Sequence, residues 1–244
     1  MRLSETLPAT LARCSPQILA TARDRLDPAW IAEALRTAGV VSIRRRKLPL
    51  DVVVWLIIGA NLLAGHAFDE VVRHLGLTPL SRRSNPQVPP SSGAVSDARV
   101  RLGDVAMKEV FSVTAKHWAD AEDVRPLRFH GLRVLADDGF ALRTPDTTTN
   151  LAEFGKPSSR RGEAAYPVVN AVAVMEAATH VILDVELGSA TTSELAMFDR
   201  LIDRVPGETV TILDRNYDSV RHLHQLGDVA RQRHWLVRSK GRSW

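Results

Sequence analysis

Two apolar runs that each end in aspartate, Val134-Leu135-Ala136-Asp137-Asp138 and Thr211-Ile212-Leu213-Asp214, constrain this chain more than any other feature. Each reads as a strand with a carboxylate at its C-terminal end. Just before the second run lies a helical pattern of Leu195, Phe198, Leu201, Ile202 and Val205, closed by Pro206-Gly207. A helical crossover of this kind returns the chain as a parallel strand, and if the two strands are neighbours both carboxylates face one crevice. Successive residues on a strand point to opposite faces, so only one of Asp137 and Asp138 can line it. Two or three carboxylates on such a crevice suit magnesium, which takes oxygen ligands and keeps several waters. The same residues also serve as turn and cap residues, and Asp138-Gly139 favours a turn by itself.

The surrounding pattern changes character near residue 126. Before it the chain reads as helices. Asp27-Pro28 opens one with Trp30, Ile31, Ala34, Leu35 and Ala38 on a face and Gly39 at its end. Pro49 opens a strongly apolar helix, Phe68 to Leu75 forms another, and the Pro- and Ser-rich stretch 78–93 reads as an exposed loop. Ala94 to Leu102 and Asp104 to Trp118, separated by Gly103, resemble a helix-turn-helix pair. After Pro126 come strands at Leu132 to Asp138 and Ala141 to Thr144, a loop, and a hairpin of Val168 to Met175 with His180 to Leu187. Thr191 and Glu194 form a capping-box signal for the next helix. Thr209 to Leu213, a helix from about Ser219 to Gln232 with Val220, Leu223, Leu226 and Ala230 inward, and a strand at His234 to Arg238 complete the pattern. The expected class is α/β in the α+β sense: an all-helical domain over 1–125, then a mixed β-sheet with flanking helices over 126–244.

Composition removes several function classes. A single cysteine, Cys14, supplies neither an internal disulfide nor a cysteine zinc site, and the N-terminus lacks the basic-then-apolar order of an export signal, so a cytoplasmic protein is expected. The apolar stretch Val52 to Ala64 has about 13 residues, against the roughly 20 that a bilayer requires, so no membrane partner is expected. His222 and His224 stand two apart on a helix, off any common face, and are read as surface residues rather than zinc ligands. The formal charge is +4, and from Arg215 to the last residue seven basic side chains face two acidic ones, which suits a polyanionic partner or a solvated basic face. Lys156, Arg160 and Arg161, in a loop of glycine, serine and proline, stand where cations meet phosphates entering the crevice.

The motifs around these residues carry a resemblance. Asp138-Gly139 is followed by Leu142-Arg143-Thr144-Pro145-Asp146-Thr147, Asn150, Phe154-Gly155, Tyr166-Pro167 and then Leu213-Asp214-Arg215-Asn216-Tyr217-Asp218-Ser219. Upstream stand Trp30-Ile31-x-Glu33-Ala34-Leu35, Lys47-Leu48-Pro49, Val53-Val54-Trp55-Leu56 and Ala94-Val95-Ser96-x-Ala98-Arg99-x-Arg101-Leu102-Gly103. Over nearly its whole length the chain resembles the DDE transposases of the insertion sequence 4 family. That resemblance implies a ribonuclease H-like catalytic half and magnesium-dependent cutting and joining of DNA. Asp138 and Asp214 become the first two catalytic acids and metal ligands, with DNA, as the element's terminal inverted repeats and its target, as the partner. Arg44, Arg45, Arg46, Lys47, Arg99, Arg101, Lys156, Arg160 and Arg161 are the expected DNA contacts. Asn216 stands where the family has glycine, and its tolerance of positive φ would preserve a tight turn.

The family's third signature, Tyr-x2-Arg-x3-Glu-x6-Lys, is absent, and no glutamate lies between Arg215 and Trp244. Glutamates 163, 176, 186, 194 and 208 fall between the two aspartates and suit strand ends and caps. The expectation is therefore a truncated transposase, inactive alone. The alternative is a non-catalytic DNA-binding remnant that occupies element ends, self-associates, or pairs with intact transposase and inhibits it.

Overall fold

A computed structural model describes residues 16–40, 48–63, 66–75, 90–121, 127–160, 162–239 and 241. The basic run Arg44 to Lys47, Arg161, Cys14 and residues 78–89 of the expected loop 78–93 lie outside the described residues. The chain forms two compact units, 1–114 and 115–244.

Asp27 shows how local sequence sets the helices of the first unit. It follows α1 (Pro16–Arg25) and caps α2 (Pro28–Thr37), accepting from the Ala29 N–H at 2.8 Å while Pro28 occupies the first helical turn. Ile31, Ala34 and Leu35 turn inward, and Gly39 leaves the helix at φ +67°. Pro49 precedes α3 (Leu50–Leu62), and Gly59 on α3 allows close approach of α4 (Phe68–His74): a Cβ there would stand 3.0 Å from Leu75 Cδ1 and 3.2 Å from Val71 Cγ1. Val53, Val54, Leu56, Val71, Val72, Leu102 and Ala106 share one core, each full aliphatic burial contributing about 1.5–3 kcal/mol. The two helices expected around Gly103 are the arms of α5 (Ser92–Ala119), broken where Gly103 takes φ 75° and ψ 169°. No described helix is long and apolar enough to cross a membrane.

In the second unit five strands form one mixed sheet, β1 (Arg133–Arg143), β4 (Val168–Glu176), β5 (Ile182–Gly188), β6 (Thr209–Leu213) and β7 (Arg233–Val237), ordered β5-β4-β1-β6-β7. β1 pairs antiparallel with β4, and parallel with β6 in the register Arg133 to Thr209 through Ala136 to Ile212; β6 pairs parallel with β7. Leu135, Val172, Val174 and Leu213 pack under α7 (Glu194–Leu201) and α8 (Val220–Leu226), against Met197, Phe198, Leu201, Leu223 and Leu226. At the outer edge of this face Arg204 bonds Asp184 and Glu186 on β5 at 2.6 and 2.9 Å. Buried Arg133 ties the start of β1 to the Ala119 carbonyl at 3.1 Å, Asp120 at 2.8 Å and Glu176 at 3.3 Å. The other face shows apolar side chains to solvent, among them Phe140, Ile212 and Leu236.

Four local expectations fail here. The Asp138-Gly139 pair makes no turn: β1 runs unbroken through it, with Gly139 opposite Val172, so the expected strands 132–138 and 141–144 are one. The expected loop after β1 holds a helix, α6 (Thr148–Phe154), and a small ladder of β2 (Ser158–Ser159) with β3 (Gly162–Glu163). Thr147 caps α6 by accepting from the Asn150 N–H. The long helix expected to Gln232 stops at Leu226; Val220 and Ala230 are exposed, and Asp228 turns back to bridge Arg233. At α7 the cap is Ser193, which accepts from the Ala196 N–H, while Thr191 bonds Ser189, so Glu194 is released from the expected capping box.

Candidate active site

The parallel pairing of β1 with β6 decides which acids can meet. The paired register ends at Ala136 and Ile212, and two residues further on, where the strands part, stand Asp138 and Asp214. Residues paired across a sheet share a face, so this register puts both on the side of Ile212, away from α7, and both are exposed. The C-terminal ends of parallel strands are where open α/β sheets form ligand crevices. Asp138 Oδ1 accepts from the N–H of Gly139 at 2.8 Å. Asp214 precedes a single 3-10 turn, Arg215–Tyr217, and makes no side-chain cap bond to it. Two carboxylates of this kind fit a magnesium ion that keeps several waters. Among the described residues no group of three histidine, cysteine, aspartate or glutamate side chains is placed to hold a metal.

Asp137 belongs to the opposite environment. It points with Leu135 and Leu213 into the helix-covered core, is 5% exposed, and neither carboxylate oxygen has a hydrogen-bond partner. Burial pushes its pKa up to about 7, because the charged form loses water and gains no cation.

On that same face a glutamate sits between the two acid-bearing segments. Glu194 accepts from the Tyr217 hydroxyl at 2.5 Å and from Asn216 Nδ2 at 3.1 Å. Its carboxyl also lies against Gly139: a Cβ built there would stand 2.7 Å from Glu194 Cδ and 2.8 Å from Oε1. Tyr217 is fully buried, edge-on to Phe198 at 4.7 Å. Burial first, then the bond to Glu194 and the charges of Glu194, Asp137 and Asp138, hold its hydroxyl far above the usual phenol range. Asn216 needs no positive φ in this turn, contrary to the sequence expectation; its amide serves as a donor. Neither Glu194 nor Tyr217 stood out as functional from the sequence. The available signal was the serine preceding Glu194, a better helix cap than Thr191, which leaves the glutamate in the first turn and free to reach outward.

The expected cations fall in several places. Arg99 and Arg101 are exposed on α5 in the first unit, and Arg99 lines a cavity of about 300 Å³ with Leu56, Ile57 and Val95. Lys156 is 3.0 Å from Asp146, and Arg160 is exposed in the β2–β3 turn. His222, expected on the surface, is buried: its Nε2 stands 2.8 Å from Asp199 and its Nδ1 2.7 Å from the hydroxyl of Ser219, the α8 cap. This ring ties α8 to α7.

Residues 16–112 match the insertion element 4 transposase N-terminal family and residues 122–243 the transposase DDE domain family. The chain is 36% identical over 214 residues to the transposase InsG for insertion sequence element IS4 of Escherichia coli strain K12, covering 88% of this chain and 47% of that protein. It is 29% identical over 215 residues to the putative transposase InsZ of the same organism, covering 88% of this chain and 69% of the relative. The chain thus spans about half the length of the first of these relatives. The mixed sheet with its acids at the parting of β1 and β6 is the ribonuclease H-like arrangement expected of such a domain, and the chain belongs to the insertion sequence 4 family of DDE transposases.

Proposed function

We propose that Asp138 and Asp214 are two carboxylate ligands of a magnesium site for phosphoryl transfer on DNA. The observation that carries this reading is that both stand two residues past the last pair of the parallel β1–β6 ladder, Ala136 with Ile212, and both are exposed. A bound divalent ion supplies activation of the attacking oxygen and stabilisation of the leaving one. The two aspartates would hold the ion, and the buried packing of Leu135 and Leu213 beneath them fixes the spacing of their strands. Arg44, Arg45, Arg46, Lys47, Arg99 and Arg101 of the helical domain 1–125, together with Lys156, Arg160 and Arg161, neutralise DNA phosphates. The terminal inverted repeats and target DNA are the substrates, and the complex resides on DNA in the cytoplasm.

A second reading concerns what this chain does alone. No third acidic side chain joins the pair among the described residues, and a second metal would lack a ligand. We infer that the described residues bind element ends without cutting them. Incubating the full chain with element-end DNA and magnesium, read by gel shift and nicking together, tests both readings. A shift without nicks supports the inert binder. Nicking that Asp138→Asn or Asp214→Asn abolishes establishes the catalytic pair and overturns inactivity, and absence of any shift refutes DNA-end binding.

A further inference from the structure

Beyond the two aspartates, we infer that Glu194 is a positioning residue of the metal site, a bracket that sets the stretch of β1 carrying Asp138 against the turn that follows Asp214. The inference rests on the two-aspartate reading above. One carboxylate touches both segments. On the β1 side it lies against Gly139, the residue after Asp138, so closely that a Cβ would fall 2.7 Å from Glu194 Cδ. On the β6 side it accepts from Asn216 and Tyr217, two and three residues after Asp214. The two oxygens are divided between those donors, Oε2 to Asn216 and Oε1 to Tyr217.

The bracket is anchored. Glu194 begins α7, whose Met197, Phe198 and Leu201 are buried in the core, and Ser193 caps the helix in its place. Tyr217 is held by Phe198, so the turn after Asp214 is pinned at two points to one helix. Two sequence features thereby acquire a reason. Gly139 leaves room for the carboxyl, and Asn216 supplies a side-chain donor. Glu194 lies on the α7 side of the sheet and the aspartates on the other, so it acts through the backbone segments that carry them.

Titration of the full chain with Mn²⁺, followed by electron paramagnetic resonance of the free ion, tests this role, with thermal unfolding recorded for every variant. Loss of a group that orients metal ligands typically costs 10–100-fold in affinity, so Glu194→Ala is expected to weaken binding about tenfold or more, while Glu194→Gln stays within about twofold of wild type. Glutamine can still bridge Tyr217 and a reoriented Asn216 amide, yet carries no charge. Amide hydrogen exchange in 214–217 is expected to speed up in the alanine variant and to hold in the glutamine variant. Wild-type Mn²⁺ affinity in a folded Glu194→Ala chain overturns the bracket. A glutamine variant as weak as alanine also overturns it, because the charge rather than the bridge would then matter. If the wild type binds Mn²⁺ no better than Asp138→Asn, the two-aspartate reading itself fails and takes the bracket with it, an outcome distinct from the other two.

Discussion

Replacing Asp137 by asparagine should make the chain more stable at neutral and alkaline pH and remove a pH dependence that the wild type carries. The carboxyl is 5% exposed, both oxygens are unpartnered, and burial raises its pKa from the ordinary 3.8 to about 7. The folded state therefore holds a proton that the unfolded state has released between those two values. Stability from this group is complete below the unfolded pKa, falls as pH rises through the window, and is fully lost above about 7. A shift of about three pKa units corresponds to about 4 kcal/mol across the whole window, of which about 2.5 kcal/mol falls between pH 5 and pH 8. Asparagine is neutral throughout and nearly isosteric, so the two proteins should already differ by about 1.5 kcal/mol at pH 5 and diverge by about a further 2.5 kcal/mol towards pH 8. At roughly 3 °C per kcal/mol for a chain of this size, the divergence is about 8 °C in Tm. Thermal unfolding of both proteins in chelator, at pH 5, 6, 7 and 8, measures it. Curves that stay parallel over that range would refute the account of Asp137 as a buried, uncompensated acid.

Two further outcomes follow from buried charge and backbone geometry. Arg133→Met keeps the side-chain stem but leaves the buried carboxylate of Glu176 without its cation; a loss of about 3–5 kcal/mol in urea unfolding is expected, and a change near zero would show that the pair is not the tie between β1 and β4. Gly103→Ala meets no neighbour within 4 Å, so any effect comes from the backbone at φ 75° and ψ 169°. A destabilisation of about 1–3 kcal/mol is expected for a non-glycine residue there, and an unchanged Tm would mean that the break in α5 is not a fixed feature of the fold.

What could be read from the sequence was whatever rests on periodicity. Leu195, Phe198, Leu201 and Ile202 marked α7, and the apolar runs at 134–138, 168–175 and 211–213 marked the strands that meet in the sheet. α6 escaped because Thr148 to Phe154 buries no residue and so has no apolar face to detect; only its cap at Thr147 betrayed it. α8 was overextended because Gly227 ends it before its pattern ends, with Trp235 Nε1 3.2 Å from where a Cβ of residue 227 would stand. The Asp138-Gly139 pair looks like a turn locally, but its glycine answers a contact with Glu194, 55 residues away in the chain, that no local propensity encodes. The two aspartates could be nominated from their strand-end positions and motifs, whereas the bracket between them required the tertiary packing of α7.

The parallel pairing of β1 and β6 also sets the order of assembly. β1, β4 and β5 form a meander of antiparallel neighbours, whereas bringing Arg133 beside Thr209 closes a much longer loop, which includes that meander and α7. Such non-local pairings are slow to reward the chain entropy they cost. The acids at 138 and 214 are expected to meet only when β6 docks on β1, and a metal ion bound by both would report that pairing.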